Sequence, residues 1–266
     1  MKQISKKIRN TLFRAMVSML LIFGLLSGAA TASDNISPEA DAVLKAMSDF
    51  IGQAKAFSAD ADIDFEVVSQ SGQKFQLSSS GTILMNRPSN FYITRKGMFA
   101  DMAFIYDGST LTLHGKGLNA YAQLNVHGNT DDAILAYEME TGVPAPGADL
   151  LLNNAYEIMS SDVLEGMYIG KAVVGGYTCH HLAFREAETD WQLWVRDGNM
   201  PLPMKYVITT KWHTAAPQYE IRFRNWDTNP SISPEQFKFT PPSDAVKLEK
   251  IVLSDTGELL SEKEGN

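Results

Sequence analysis

The chain has 266 residues, a formal net charge of −8 and one cysteine, so an internal disulfide is excluded and the core must stabilise the fold. Removal of residues 1–32, predicted below, leaves 18 basic and 31 acidic residues, a net charge of −13. This charge argues against nucleic-acid binding and against attraction to anionic membrane surfaces.

The N-terminus predicts a secretory signal peptide. Five basic residues precede a mostly apolar stretch at 15–26, and Ala30-Thr31-Ala32 fits a small-x-small cleavage site. The apolar stretch is shorter than the roughly 20 residues of a membrane span, which argues against a membrane anchor. We therefore expect cleavage after Ala32, release into the periplasm of a Gram-negative bacterium, and no stable membrane insertion.

The first element of the mature chain is predicted to be an amphipathic helix. Ser37 is a candidate N-cap, Pro38 suits the first helical position, and apolar residues at 43, 44, 47, 50 and 51 form one stripe. Such a helix must pack on another element.

A strand with strict alternation follows. Ala61, Ile63, Phe65 and Val67 share one face, and acidic residues at 60, 62, 64 and 66 share the other. The acidic row lacks the glycine turn of a Ca²⁺ loop, and alternate residues on a strand lie about 6.6 Å apart. We therefore interpret it as a solvated face rather than a cation site.

The rest of the chain predicts an antiparallel meander with a helical interruption. A helix is expected from Asn129 or Thr130 to Gly142, then a break at 144–147 and a short helix at 148–153. Turn signals separate short β-rich runs at 74–85, 91–95, 98–106, 110–114, 121–126, 166–174, 178–185, 191–196, 204–212 and 219–226. These predict an α+β fold with one large, curved antiparallel sheet, a domain at 33–251 and a flexible tail at 252–266. The apolar face of that sheet needs the N-terminal and central helices as a lid.

Motifs for catalysis and metal binding give no coherent site. S-x-x-K at 71–74 and S-D-N at 33–35 stand in the wrong order without K-T-G, and G-x-G-x-x-A at 115–120 precedes a strand instead of a helix. Cys179, His180 and His181 alternate on a strand, which leaves one cysteine and one histidine per face and favours a buried thiol over zinc. We expect no enzyme, cofactor or metal, although an active site assembled only in space stays open.

Two segments carry a family resemblance. Residues 81–92 (GTILMNRPSNFY) with 106–113 (YDGSTLTL), and residues 237–242 (FKFTPP), resemble the LolA/LolB-type lipoprotein-carrier superfamily. Residues 179–185, 190–194, 201–205 and 225–226 are similar to one branch of it, a predicted periplasmic family (DUF2092). The resemblance spans nearly all of the mature chain.

The resemblance implies an unclosed, half-barrel sheet with a helical lid over an apolar cavity. It implies that Arg87 bonds to lid carbonyls and locks the lid, where the alternative is a solvated turn residue. It places Phe91 at the cavity mouth, where the alternative is core packing. Combined with the apolar faces of the predicted strands, the resemblance gives the expected ligand-binding residues: Phe65, Val67, Ile83, Phe91 and Ile93.

Three functions follow as alternatives. The leading one is a periplasmic carrier or chaperone, a monomer that holds a lipid or the acyl chains of a lipoprotein. The second is a sensor or interaction module that binds an envelope protein and carries no lipid, and the third is an enzyme. Periodicity cannot choose between an empty and a filled half-barrel, because both need apolar residues inside.

Overall fold

The computed structural model describes residues 35–254 and 256–260, so the predicted signal peptide lies outside the described residues. Within these residues one sheet contains all of the strands, in the spatial order β12-β6-β5-β4-β3-β2-β1-β11-β10-β9-β8-β7. All neighbours pair antiparallel except β12, which runs parallel to β6. The strands are β1 (Ala56–Val68), β2 (Lys74–Asn86), β3 (Asn90–Gly97), β4 (Asp101–Tyr106), β5 (Thr110–Gly115), β6 (Ala120–Asn125), β7 (Glu165–Val174), β8 (Tyr177–Arg185), β9 (Thr189–Arg196), β10 (Pro203–Thr210), β11 (Gln218–Asp227) and β12 (Val246–Lys247).

The sheet does not close, because β12 and β7 stand at its two ends. The predicted α+β class with an unclosed antiparallel sheet is therefore confirmed. The helices are α1 (Pro38–Gln53), α2 (Thr130–Thr141) and α3 (Ala155–Ser160), with 3₁₀ turns at Asp149–Leu151 and Pro234–Phe237.

Strand alternation gives the sheet one apolar and one polar face. On the inner face, directly paired residues from β8 to β1 form a continuous buried row: Leu182, Leu193, Tyr206, Ile221 and Ile63. Ala61, which the alternation places on the same face as Ile63, is buried as well.

The acidic row of β1, predicted to be a solvated face, lies on the outer face, where its charges are paired. Arg224 bonds to Asp60 and Asp62, and Lys74 pairs with Glu66 at 2.7 Å. These pairs lie at the surface, where solvent screening leaves each with little effect on stability.

Helix α1 covers one half of the inner face. Its N-cap is Ser37, as predicted, and its apolar stripe buries Leu44, Met47 and Ile51 completely. It packs against β7, β9 and α3. Its side chains therefore cover the inner face of the sheet at β7 and β9.

Helix α2 covers the other half, and its ends agree with the sequence. Asn129 accepts bonds from the backbone of Asp131 and Asp132 and forms a capping box, and Gly142 ends the helix at φ 65°. The predicted short helix at 148–153 is a 3₁₀ turn of three residues. Helix α3 was not predicted.

The segment after residue 251 makes more contacts with the domain than its polar composition indicates. Leu259 is buried and forms a bridge with Leu253, and Glu258 accepts a bond from the backbone of Asp101 at 2.7 Å. Residues 252–260, expected to be a free tail, therefore pack on β4 and its neighbours as far as they are described.

Candidate ligand-binding cavity

A cavity of about 520 Å³ lies between the inner face and the elements that follow β6. We define the lid as residues 130–151, which contain α2, the segment 142–148 and the first 3₁₀ turn. The volume is in the range of small-molecule binding sites, about 300–1,000 Å³. The cavity is lined by residues 61, 63, 65, 83, 91, 93–95, 104 and 111 of β1–β5, residues 133, 134, 137, 143–148 and 151 of the lid, residues 219, 221 and 223 of β11, and residues 253, 254, 256 and 257.

Four of the five predicted ligand-binding residues lie in this wall. They are Phe65, Ile83, Phe91 and Ile93, and Phe91 also packs on Tyr106 with ring centroids 5.7 Å apart. Phe91 is 3% exposed, so it contributes to the core as well as to the cavity wall.

Val67 does not line the cavity, so its placement there is corrected. It lies on the predicted face, but β1 is 13 residues long and Phe65 is the last of its residues in the cavity wall. At this end Val67 pairs with Phe75, which is 46% exposed. Alternation identifies the face of a residue but not how far the covering elements reach.

Arg87 lies beneath the lid and contacts it directly. Its Nη2 donates to the carbonyl of Leu151 at 2.6 Å, and its Nη1 lies 3.8 Å from Asp131 in α2. The side chain is 7% exposed and lies over the Phe57 ring. Burial lowers the pKa of Arg87, partly offset by the Asp131 charge. Arg87 is therefore a buried cation whose hydrogen bond joins the β2–β3 turn to the lid, and not a solvated turn residue.

The same 3₁₀ turn is bonded at its other end. Tyr206 on β10 donates its hydroxyl to Asp149 at 2.9 Å, and the backbone of Leu150 donates to the other carboxylate oxygen at 3.0 Å. Burial raises the pKa of Asp149 to about 6 despite these two bonds. Burial therefore makes this carboxylate easier to protonate than a free one, although at pH 7 it is still mostly ionised.

One end of the cavity is polar, a feature not predicted from the sequence. Arg95 follows Phe91 and Ile93 on the inner face of β3, and its guanidinium lies over the Phe65 ring, 5.4 Å from the centroid. Tyr137 of α2 and Tyr219 of β11 line the same space. Burial raises the pKa of both phenols, that of Tyr219 to about 12, and the Arg95 charge acts in the opposite direction on each. The strand period alone places Arg95 on this face.

The Cys-His-His segment lies away from the cavity. His180 contacts Tyr168 and Asp197 at 3.0 and 2.9 Å, whereas His181 stacks on Trp194 with centroids 4.1 Å apart. Cys179 is a buried thiol. Across residues 35–254 and 256–260, no three histidine, cysteine or acidic side chains are grouped closely enough to hold a metal ion.

Comparison with known proteins identifies the family. Residues 40–250 match the model of a family described as a predicted periplasmic protein (DUF2092). The chain belongs to this family. The description agrees with the periplasmic location expected from the predicted signal peptide. No helix within the described part of this DUF2092 protein is long and apolar enough to cross a membrane.

A search of the curated proteins gives no match. Among solved structures, the DUF2092 chain is similar to LprF from Mycobacterium bovis, at 13% identity over 79% of this chain and 99% of that one, with a TM-score of 0.43. It is similar to LppX from Mycobacterium tuberculosis at 10% identity, 74% and 100% coverage, and a TM-score of 0.42. It is also similar to a chain of the Pseudomonas aeruginosa MucA/MucB complex, at 14% identity over 76% of this chain and 61% of that one, with a TM-score of 0.41. Similarities at this level assign neither a ligand nor a partner.

Proposed function

We propose that this protein binds the apolar chains of a lipid or lipidated protein in the lid-covered cavity and acts as a carrier or chaperone. The single observation that carries the proposal is a mostly apolar cavity of about 520 Å³ between the inner face of the sheet and the lid. A protein interior is normally filled to crystal-like density, because every void forfeits dispersion contacts. An apolar ligand restores those contacts, and each buried CH₂ contributes about 0.8 kcal/mol.

In this proposal the ligand is released when the lid opens, because an apolar chain has no reactive group through which a chemical step could release it. The lid bonds to the sheet at its 3₁₀ turn, through Arg87 and through Tyr206. A ligand or partner shifts the lid equilibrium only by the difference in its affinity for the closed and open forms.

The test is native mass spectrometry of protein purified from the periplasm, followed by solvent extraction of bound lipid. The variant is Ile93→Trp, which places an indole in the cavity, and the matched control is Val67→Trp, at a half-buried position outside it. We expect stoichiometric lipid on the wild type and the control and a clear loss on Ile93→Trp at similar thermal stability. A wild-type mass without ligand, unchanged after incubation with lipid extract, contradicts the proposal.

A second candidate is a module that binds a protein partner. The observation that favours it is the β3–β4 turn, where Met98 is 82% and Phe99 is 52% exposed beside Leu77. Large apolar side chains at one exposed turn are typical of contact surfaces.

Photo-crosslinking in living cells distinguishes this candidate from the carrier. The photoreactive residue replaces Phe99, and Trp212, which is 69% exposed in another turn, is the control position. A crosslink to one protein of defined mass from position 99 alone, with no extractable lipid, supports the module. Equal crosslinking from both positions contradicts it.

A further inference from the structure

The wall of the cavity contains one charged side chain. Of the lining residues that the structure describes, all are apolar or neutral except Arg95. A cation at the end of an apolar cavity loses hydration, and this costs free energy unless an anion or hydrogen-bond acceptors replace the water.

The protein satisfies Arg95 only in part. Nη2 donates to the carbonyl of Thr256, and one face of the guanidinium lies on the Phe65 ring. The Nε atom is buried and has no hydrogen-bond partner among the described residues. No carboxylate within 35–254 or 256–260 forms an ion pair with Arg95. Since a guanidinium has five N–H donors in a planar fork, most of its capacity stays available to a ligand.

Two hydroxyl groups without hydrogen-bond partners among the described residues lie near Arg95. Ser79, 7% exposed, has a buried hydroxyl without a partner and lines a small crevice that shares Arg95 and Phe65 with the cavity. Tyr219 lines the cavity, and none of the described residues forms a hydrogen bond with its hydroxyl. A guanidinium with nearby hydroxyls matches a carboxylate or phosphate, which accepts several hydrogen bonds at once.

The remainder of the cavity suits an alkyl chain. Along β3 the wall runs from Arg95 through Ile93 to Phe91, and the four-residue spacing corresponds to about 13 Å of strand. The lid contributes Ala133, Ile134, Leu151 and residues 143–148 to the wall, together with the ring of Tyr137. Polar contacts are thus concentrated at one end and apolar contacts along the length.

From this arrangement we propose that the ligand is an amphiphile with an anionic oxygen head, a carboxylate or a phosphate, which binds Arg95 while its alkyl chain extends toward Phe91. This rests on the proposed function and adds the chemical class and the orientation of the ligand. Selectivity for the head follows because a charge-assisted hydrogen bond in a partly desolvated site is worth more than a neutral one.

The experiment measures binding of four C16 probes to the delipidated full-length protein by displacement of a fluorescent apolar dye. The probes are hexadecanoate, hexadecyl phosphate, hexadecanol and methyl hexadecanoate, and the two anions distinguish a carboxylate from a phosphate ligand. The variant is Arg95→Met. The control is Lys96→Met, which removes an exposed positive charge from the neighbouring position.

We expect the wild type to bind at least one anion about tenfold or more tightly than hexadecanol, the difference that one charge-assisted hydrogen bond supplies. In Arg95→Met the ratio falls to about twofold or less because binding of the anion weakens, whereas hexadecanol binding is unchanged. Lys96→Met keeps the wild-type ratio.

Two results overturn the inference while the proposed function stands. In the first, the wild type binds all four probes equally well. In the second, Arg95→Met weakens the anions and hexadecanol to the same extent, which means that Arg95 only fastens the segment around Thr256. If no probe displaces the dye, the proposed function itself fails.

Discussion

Replacement of Arg87 by methionine tests whether this residue fastens the lid. Methionine keeps most of the apolar stem that lies against Phe57 but removes the bond to the Leu151 carbonyl. A hydrogen bond from a charged donor contributes about 1.5–3 kcal/mol. The 3.8 Å contact with Asp131, a partly exposed carboxylate, adds less than about 1 kcal/mol.

The free energy of lid opening should therefore fall by about 2 kcal/mol, which raises the opening equilibrium constant by a factor of about 30. The free energy of global unfolding should fall by less. The reason is that the variant no longer buries a guanidinium, whose desolvation also lowers the pKa of Arg87.

Hydrogen exchange followed by mass spectrometry measures this difference. Peptides that cover 148–153 report on the bonds of Leu151, Leu152 and Asn153 to Ala148, Asp149 and Asp131, and peptides of β8–β10 serve as the internal reference. The control is Arg224→Gln, which breaks charge pairs on the outer face far from the lid. If Arg87→Met speeds exchange equally in the lid and in β8–β10, Arg87 stabilises the whole fold and the reasoning is refuted.

Three further outcomes follow from the same geometry. Because the pKa of Asp149 in the folded protein is about 6, above its ordinary 3.8, the native state binds the extra proton between these values and stability is lost as pH rises through 6. The free energy of unfolding of Asp149→Asn, measured in urea, should therefore rise relative to that of the wild type between pH 4 and pH 7. After allowance for partial exposure the expected gain is about 1–2 kcal/mol. A difference between variant and wild type that stays constant over this pH range refutes the reasoning. Asn129→Ala removes the N-cap of α2 and should cost about 1 kcal/mol, with faster amide exchange confined to the first turn of that helix. Burial raises the pKa of the Cys179 thiol, so a thiol reagent at pH 8 should label it only at the rate of global unfolding, and labelling within seconds contradicts this.

The sequence predicts the sheet well because its strands alternate. The row Ala61, Ile63, Phe65 and the row Phe91, Ile93 both indicate the inner face, and the structure places both there. Helix α2 could be predicted from its caps, since Asn129 and Gly142 satisfy backbone groups that a helix end leaves free.

Features that depend on distant elements could not be predicted in this way. Val67 continues the inner row but lies outside the cavity, because the reach of the lid is not encoded in β1. Arg95 continues the row of Phe91 and Ile93, yet a charged residue conflicts with the expectation of an apolar wall. Leu259 follows a polar stretch, and its burial depends on a bridge to Leu253 and on contacts with β4.

Whether an open sheet is filled or hollow depends on the size of the side chains that cover it. Over β7 and β9, helix α1 inserts Leu44, Met47 and Ile51, and the interior is closed. Over β1–β5 most of the lid lining is small, Ala133 and the alanine, proline and glycine residues of 143–148, although Tyr137 contacts Phe104 of β4. Both halves belong to one continuous sheet, so the backbone path does not create the cavity. Small residues over much of the lid leave the space open, whereas the large side chains of α1 fill the other half.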